Sequence, residues 1–273
     1  MKRFAIGGAE AGSPRLLIVA GPCVIESAEL CVRVATHLKT LCAARGLPYV
    51  FKASYAKANR SSVRSFQGLP RHEALEILGR VRRELQISVL TDVHEEDEVT
   101  AAAQVADVLQ IPAFLSRQTA LLQAAARTGR AVNVKKGQFM APDDMRQVVE
   151  KLTQAGGEKI LLTERGTTFG YHDLVVDMRG LVVMRELGWP VLFDATHSLQ
   201  RPGGEVSGGE RRFAVPLMRA AVACGVDGLF FEAHPDPARA QSDAATQLPL
   251  AEVESFLDEA LVVHERVRNL GHA

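Results

Sequence analysis

Two sets of side chains in this sequence have the types to do chemistry together. The first is cationic: Lys52, Lys57, Arg60, Lys136 and Arg165. Such charges converging on one concavity would repel one another unless anions bound between them. They suit two phosphates and a carboxylate, with arginine forks for bidentate recognition and lysines as point charges. The run KANRSS (57–62) adds amide and hydroxyl donors, which makes it a candidate phosphate loop without a Walker or Rossmann glycine pattern. The second set is Cys23, His197, Glu232 and Asp243. A thiolate, an imidazole and two carboxylates form a mixed soft and hard ligand set for Zn²⁺, Fe²⁺, Mn²⁺ or Co²⁺. No compact Cys-x-x-Cys or His-Glu-x-x-His signature accompanies it. Read singly, the residues leave open a buried cysteine, a helix-capping aspartate and an unrelated histidine.

Residues so far apart can meet only on a scaffold that gathers strand ends. Short β-branched runs alternate with amphipathic segments from about residue 15 onward, the β-then-α rhythm of a parallel sheet. Strands are read at 16–22, 49–55, 87–93, 108–114, 131–137, 159–166, 191–197 and 228–234. Helices are read at 27–45, 71–85, 95–105, 118–128, 142–154, 173–186, 209–224 and 250–267. Eight β/α units of this length predict an α/β fold, a (β/α)8 TIM barrel with a single catalytic domain over 1–273. A doubly wound sheet is the competing architecture, because the pattern does not force closure. The first dozen residues precede the first strand and are read as a hairpin-like plug for the barrel bottom.

In a barrel the chemistry sits at the C-terminal ends of the strands. The unusual polar residues fall there: Cys23; Lys52, Ser54, Lys57, Asn59 and Arg60; Asp92 and His94; Gln110 and Arg117; Lys136 and Gln138; Arg165; Asp194 and His197; Glu232, His234 and Asp243. Any one of them has a bland reading as a solvated lysine or a capping aspartate. A neutral protein that places so many cations around one rim calls for a common reason.

The chain as a whole is neutral, with 32 Lys plus Arg against 32 Asp plus Glu in 273 residues. No global field recruits nucleic acid or an anionic membrane. No apolar run approaches the length of a signal peptide or a membrane span, so the expected location is cytoplasmic. The 4 cysteines do not make a disulfide framework in a chain this long.

The segments AGPCVIES (20–27), KANRSS (57–62), QIPAFLSRQT (110–119), VNVKKGQF (132–139), LTERGTTFGYHDLVVDMR (162–179), DATHS (194–198), SGGERR (207–212) and EAHPDPARAQSDAATQLPL (232–250) closely resemble the 3-deoxy-manno-octulosonate 8-phosphate synthases. The resemblance spans nearly the whole chain and touches every strand end. It implies condensation of phosphoenolpyruvate with arabinose 5-phosphate, a step toward lipopolysaccharide. By resemblance, Lys52, Lys57, Lys136, Arg165 and Gln138 line the phosphoenolpyruvate site. Asn59, Arg60 and Ser61 hold the sugar phosphate, joined by Arg117 from a neighbouring subunit, since the family is usually a homotetramer. Ser54, Asp92 and Gln110 complete the expected substrate-binding set. Lys57, Lys136, His197 and Asp243 are expected to be catalytic, the last two also as ligands of the divalent metal ion with Cys23 and Glu232.

A sibling family, which makes the seven-carbon 3-deoxy-arabino-heptulosonate 7-phosphate, typically has a Lys-Pro-Arg-Thr motif after strand two, where this chain has KANRSS. A metal-free branch has Asn at the place of Cys23; the cysteine, KKGQF and SDAATQLPL resemble the metal-dependent branch. Ala56 and Ala120 stand where an Asp is common in the family, and the loop 201–209 is short. A non-catalytic phosphosugar or metal sensor on the same scaffold is the alternative of a different class.

Overall fold

The computed structural model describes residues 1–58, 66–202 and 208–270. Asn59, Arg60 and Ser61, expected at the sugar phosphate, lie outside the described residues, as does most of the loop 201–209.

Parallel strands β1 (Leu17–Gly21), β2 (Tyr49–Lys52), β3 (Ser88–Asp92), β4 (Val108–Ile111), β5 (Ala131–Lys135), β6 (Ile160–Glu164), β7 (Val191–Asp194) and β8 (Gly228–His234) pair in sequence order. β8 pairs with both β7 and β1, which closes the sheet into a barrel. Around it run α1 (Ala28–Ala44), α2 (Arg71–Leu85), α3 (Glu96–Val105), α4 (Thr119–Arg127), α5 (Met145–Gln154), α6 (Met178–Arg185), α7 (Ala214–Ala223) and α8 (Val253–Asn269). The fold is a (β/α)8 barrel.

Strand alternation sorts the side chains. Outward residues such as Ile18, Phe51, Val89, Leu109, Val132, Val134 and Phe193 join the helices' apolar faces in one large core. Inward residues change character along each strand. At the bottom, Leu17, Val50, Leu90, Val108, Ala131, Leu161 and Leu192 pack together against Ile6, Ala9 and Ala11. These last belong to a hairpin, Phe4–Ile6 with Ala9–Ala11, which plugs the barrel as the sequence suggests. One turn further up, the inward positions are Lys52, Asp92, Gln110, Asn133 and Lys135, Thr163 and Arg165, Asp194 and Glu232. The apolar floor excludes water from below, so every charge in the barrel opens toward one mouth.

Gly21 is where β1 and β2 approach most closely. A Cβ there would stand 2.0 Å from the Lys52 carbonyl oxygen. Gly21→Ala must therefore part strands that carry Cys23 and Lys52, and is expected to destabilise the fold by about 3 kcal/mol. A urea titration reads this as a lowered midpoint; an unchanged midpoint would contradict the packing.

Several expected boundaries shift. The helix expected at 173–186 begins only at Met178, because the Asp177 side chain accepts from Arg179 N and caps it there. Its first residues instead form a hairpin, Thr167–Gly170 with Asp173–Val175. The two turn residues, Tyr171 and His172, have φ of 50° and 67°, the left-handed pair of a type I′ turn. Strand β4 stops before Pro112, which has no N–H for the ladder, and a 3-10 turn Ala113–Leu115 follows. The segment read as one helix over 209–224 holds a short pairing at Gly208–Gly209 and a 3-10 turn before α7 starts.

Candidate active site and metal centre

The mouth holds a cavity of about 770 Å³ lined by Lys52, Lys57, Asp92, Gln110, Lys135, Gln138, Arg165, His197, Gln200 and Asp243, among others. Cys23 and Glu232 lie just beneath its lining, 1% and 0% exposed. The expected ligand set therefore does converge. Cys23, Glu232 and Asp243 each place a donor atom within 4.8 Å of the others. His197 Nε2 stands 3.4 Å from Glu232 Oε1 and 3.9 Å from Asp243 Oδ2.

Each ligand is positioned by a different device. Cys23 follows β1, and its backbone N–H donates to Gln247 Oε1 at 3.3 Å. Glu232 is on β8, with its N–H bonded to Thr196 Oγ1 at 2.8 Å. His197 opens a 3-10 turn after β7; Asp194 accepts from its backbone N–H at 2.8 Å and meets ring Nδ1 at 2.8 Å, leaving Nε2 toward the carboxylates. Asp243 comes from the long loop after β8, which folds back and pairs Leu248–Pro249 with Ala233–His234. Its φ of 49° places it in the left-handed region, a strain that Asp tolerates better than most residues. Gln200 Nε2 donates to Asp243 Oδ1 at 2.7 Å, and Gln200 Oε1 accepts from Arg165 Nη2 at 2.7 Å.

The charges in this group are strongly coupled. Lys52 Nζ is paired with Glu232 Oε1 at 2.5 Å and also donates to the Cys23 carbonyl at 3.0 Å. Burial alone would raise the Glu232 carboxyl, but Lys52, His197 and Lys57 overcome it and hold the group below the usual carboxylate range. The Cys23 thiol is pushed well up by burial and then by Asp243 and Glu232. Its S–H donates to Asp243 Oδ2 at 3.0 Å. Two features fit a divalent ion here: the donor set itself, and Glu232 Oε2, a buried carboxylate oxygen without a hydrogen-bond partner among the described residues.

A polar belt continues around the mouth. Lys57 Nζ donates to Ser54 Oγ at 3.0 Å, and Asp92 accepts short hydrogen bonds from Ser54 and Gln110. Asn133 Nδ2 donates to Gln110 Oε1 at 2.8 Å, and Thr163 Oγ1 to Asn133 Oδ1 at 2.7 Å. Ser54, Asp92 and Gln110 are thus engaged with one another across β2 to β4. Besides Glu232 Oε2, the cavity-lining side chains of Arg165 and Gln138 each have a buried polar atom with no hydrogen-bond partner among the described residues, Arg165 at Nη1 and Gln138 at Oε1.

Two expected residues lie elsewhere. Lys136 is not part of the cavity lining; Lys135 is. On β5, Asn133 and Lys135 face inward while Val132 and Val134 face the helices; Lys136, just past the strand, turns away from the cavity toward Gly137, Met140, Glu164 and Thr167, so the lysine expected at the mouth is displaced by one position. Lys135 Nζ lies 2.5 Å from Asp194 Oδ2, 3.1 Å from His197 Nδ1 and 3.6 Å above the centre of the Phe230 ring. Arg117 is exposed and borders a separate small hollow with Asp144 and Lys151, outside this chain's mouth. Gln200 was not foreseen, and a lone Gln after a strand end carries no signal of its own.

With the closed barrel and the geometry of its mouth described, comparisons with known proteins supply the lineage. Residues 5–268 match the DAHP synthetase I family, and the chain belongs to that family. Similar relatives include a protein of Trichlorobacter lovleyi, 54% identical over 98% of this chain and 99% of its own length. Others are from Koribacter versatilis, 52% identical over 97% and 96%, and Syntrophobacter fumaroxidans, 51% identical over 98% and 94%. All three are named 2-dehydro-3-deoxyphosphooctonate aldolase. Among the described residues no helix is long and apolar enough to cross a membrane.

Proposed function

We propose that this chain is a metal-dependent catalyst joining phosphoenolpyruvate, arabinose 5-phosphate and water into 3-deoxy-D-manno-octulosonate 8-phosphate and inorganic phosphate. The observation that carries the reading is the gathering, at one cavity, of Lys52, Lys57, Lys135 and Arg165 with a thiol-imidazole-carboxylate cluster. The relatives' shared name favours the eight-carbon product over the seven-carbon one.

In this reading C3 of phosphoenolpyruvate forms a bond to the sugar's C1 while water adds to C2. The resulting hemiketal phosphate loses phosphate by C–O cleavage. Lys52, Lys57, Lys135 and Arg165 neutralise anions that would otherwise repel each other; Arg165 Nη1 donates to an anionic oxygen and Gln138 Oε1 accepts from a sugar hydroxyl, the partners each lacks. Holding both reactants in line is worth roughly 7 to 11 kcal/mol. Cys23, His197, Glu232 and Asp243 would hold a divalent ion, which would supply Lewis acidity toward the aldehyde or the attacking water. Asp194 fixes the His197 ring, and Asp243, which accepts from the Cys23 thiol, is placed to carry a proton. Asn59, Arg60 and Ser61 are assigned to the sugar phosphate, with Arg117 serving a neighbouring subunit of a homotetramer. The whole chain acts as one catalytic domain in the cytoplasm.

Parallel assays of phosphate release with arabinose 5-phosphate and erythrose 4-phosphate test this, before and after chelation. Release with the five-carbon sugar that chelation abolishes is the expected result; preference for the four-carbon sugar overturns the reading.

Metal loading should also depend on pH with a defined sign. The Cys23 thiol is raised, so it keeps its proton through neutral pH and must release it to bind a metal. Affinity should therefore rise about tenfold per pH unit below the thiol's pKa. Competition with a pH-calibrated chelator measures it; a pH-independent affinity would exclude the thiolate as a ligand.

A further inference from the structure

Lys136 is a buried cation that the mouth does not use, only 1% exposed and on the outer face of β5. The geometry points to Lys136 as a positioning residue that, paired with Glu164, fixes Gln138 and Arg165 for the anionic substrate; this rests on the function proposed above.

The argument follows the ammonium's partners. Nζ donates to the carbonyl oxygens of Gly137 and Met140, at 3.3 and 3.2 Å, closing the turn 137–140 from beneath. It also donates to Thr167 Oγ1 at 3.0 Å, in the hairpin after β6, and stands 3.6 Å from Glu164 Oε1. Glu164 Oε1 in turn accepts from Gly166 N at 2.7 Å. The two loops are joined once more by Thr168 N donating to the Gln138 carbonyl at 2.8 Å. The residues these loops send into the cavity are Gln138, inside the turn that Lys136 closes, and Arg165, between Glu164 and Gly166. Those two carry the unpartnered Oε1 and Nη1. Side chains alternate on a strand, so the Lys135–Lys136 pair serves both faces of β5, one lysine in the cavity and one holding the loops around it. Glu164 and Arg165 divide in the same way on β6.

Removing Lys136 alone would leave the Glu164 carboxylate buried and unpaired, and such a variant could unfold for that reason alone. The informative variant is the double one, Lys136→Met with Glu164→Gln. It keeps an acceptor for Gly166 N and leaves no orphan charge. Metal-loaded wild type and double variant are compared by calorimetric Kd for phosphoenolpyruvate, thermal midpoint, and steady-state kinetics. The expected result is a midpoint close to wild type, a Kd and KM for phosphoenolpyruvate raised roughly tenfold, and kcat changed much less. A double variant whose Kd matches wild type overturns the positioning role, as does one whose kcat collapses while Kd is unchanged. Because Kd is read without turnover, a wild type that binds phosphoenolpyruvate yet releases no phosphate would refute the proposed reaction and leave this inference standing or falling on the variant's Kd.

Discussion

Replacing Glu232 with alanine is expected to cost roughly a hundredfold or more in both metal affinity and turnover. The reason is that one carboxylate serves two partners. Oε2 has no hydrogen-bond partner among the described residues and is free for a metal, while Oε1 holds Lys52. Losing the first removes a metal ligand. Losing the second leaves an ammonium with 1% exposure unpaired, which costs about 3 to 5 kcal/mol. The metal-free protein should therefore melt earlier as well, a signature that a ligand with no structural role would not give. Glu232→Gln, which keeps an acceptor for Lys52, should recover part of the stability and little of the metal affinity. Metal stoichiometry and thermal midpoints of the two variants check this; equal metal content in wild type and Glu232→Ala would refute it.

The second large effect concerns the paired lysines. Lys135→Met should lower kcat/KM by roughly a thousandfold, because it deletes a cation inside the cavity where charge is poorly screened. Lys135 also neighbours Asp194, which orients His197, so its loss reaches the metal side of the site too. The double Lys136→Met and Glu164→Gln variant is expected to suffer far less. Steady-state kinetics on both decide the order. Should the Lys136 variant be the more damaged in kcat, the parity of β5 drawn above is wrong.

That parity shows how much was legible in advance. The barrel was readable because each strand writes its burial as a β-branched run, and repetition of the unit implies closure once every strand end collects polar residues. That Cys23, His197, Glu232 and Asp243 gather at one mouth was readable by residue type, since such side chains at or just after strand ends are unusual. Choosing between Lys135 and Lys136 needed only the two-residue period of AVNVKK, where the buried polar Asn133 marks the inward face. The hairpin at 167–175 was illegible for another reason. A type I′ turn normally announces itself by Asn-Gly or Asp-Gly, and Tyr171-His172 does not. Gln200 was invisible because its role arises from tertiary placement, bridging Arg165 to Asp243 between two loops that share no local pattern.

The central claim is that one divalent ion sits among Cys23, His197, Glu232 and Asp243, with Lys135 and Arg165 beside it in the same mouth. Anomalous scattering from crystals grown with a single added metal and phosphoenolpyruvate tests it directly. The account predicts one strong peak within bonding distance of Cys23 Sγ, His197 Nε2, Glu232 Oε2 and an Asp243 oxygen, with the ligand's phosphate against Arg165. A peak ligated by other residues, or none there in active crystals, would contradict it.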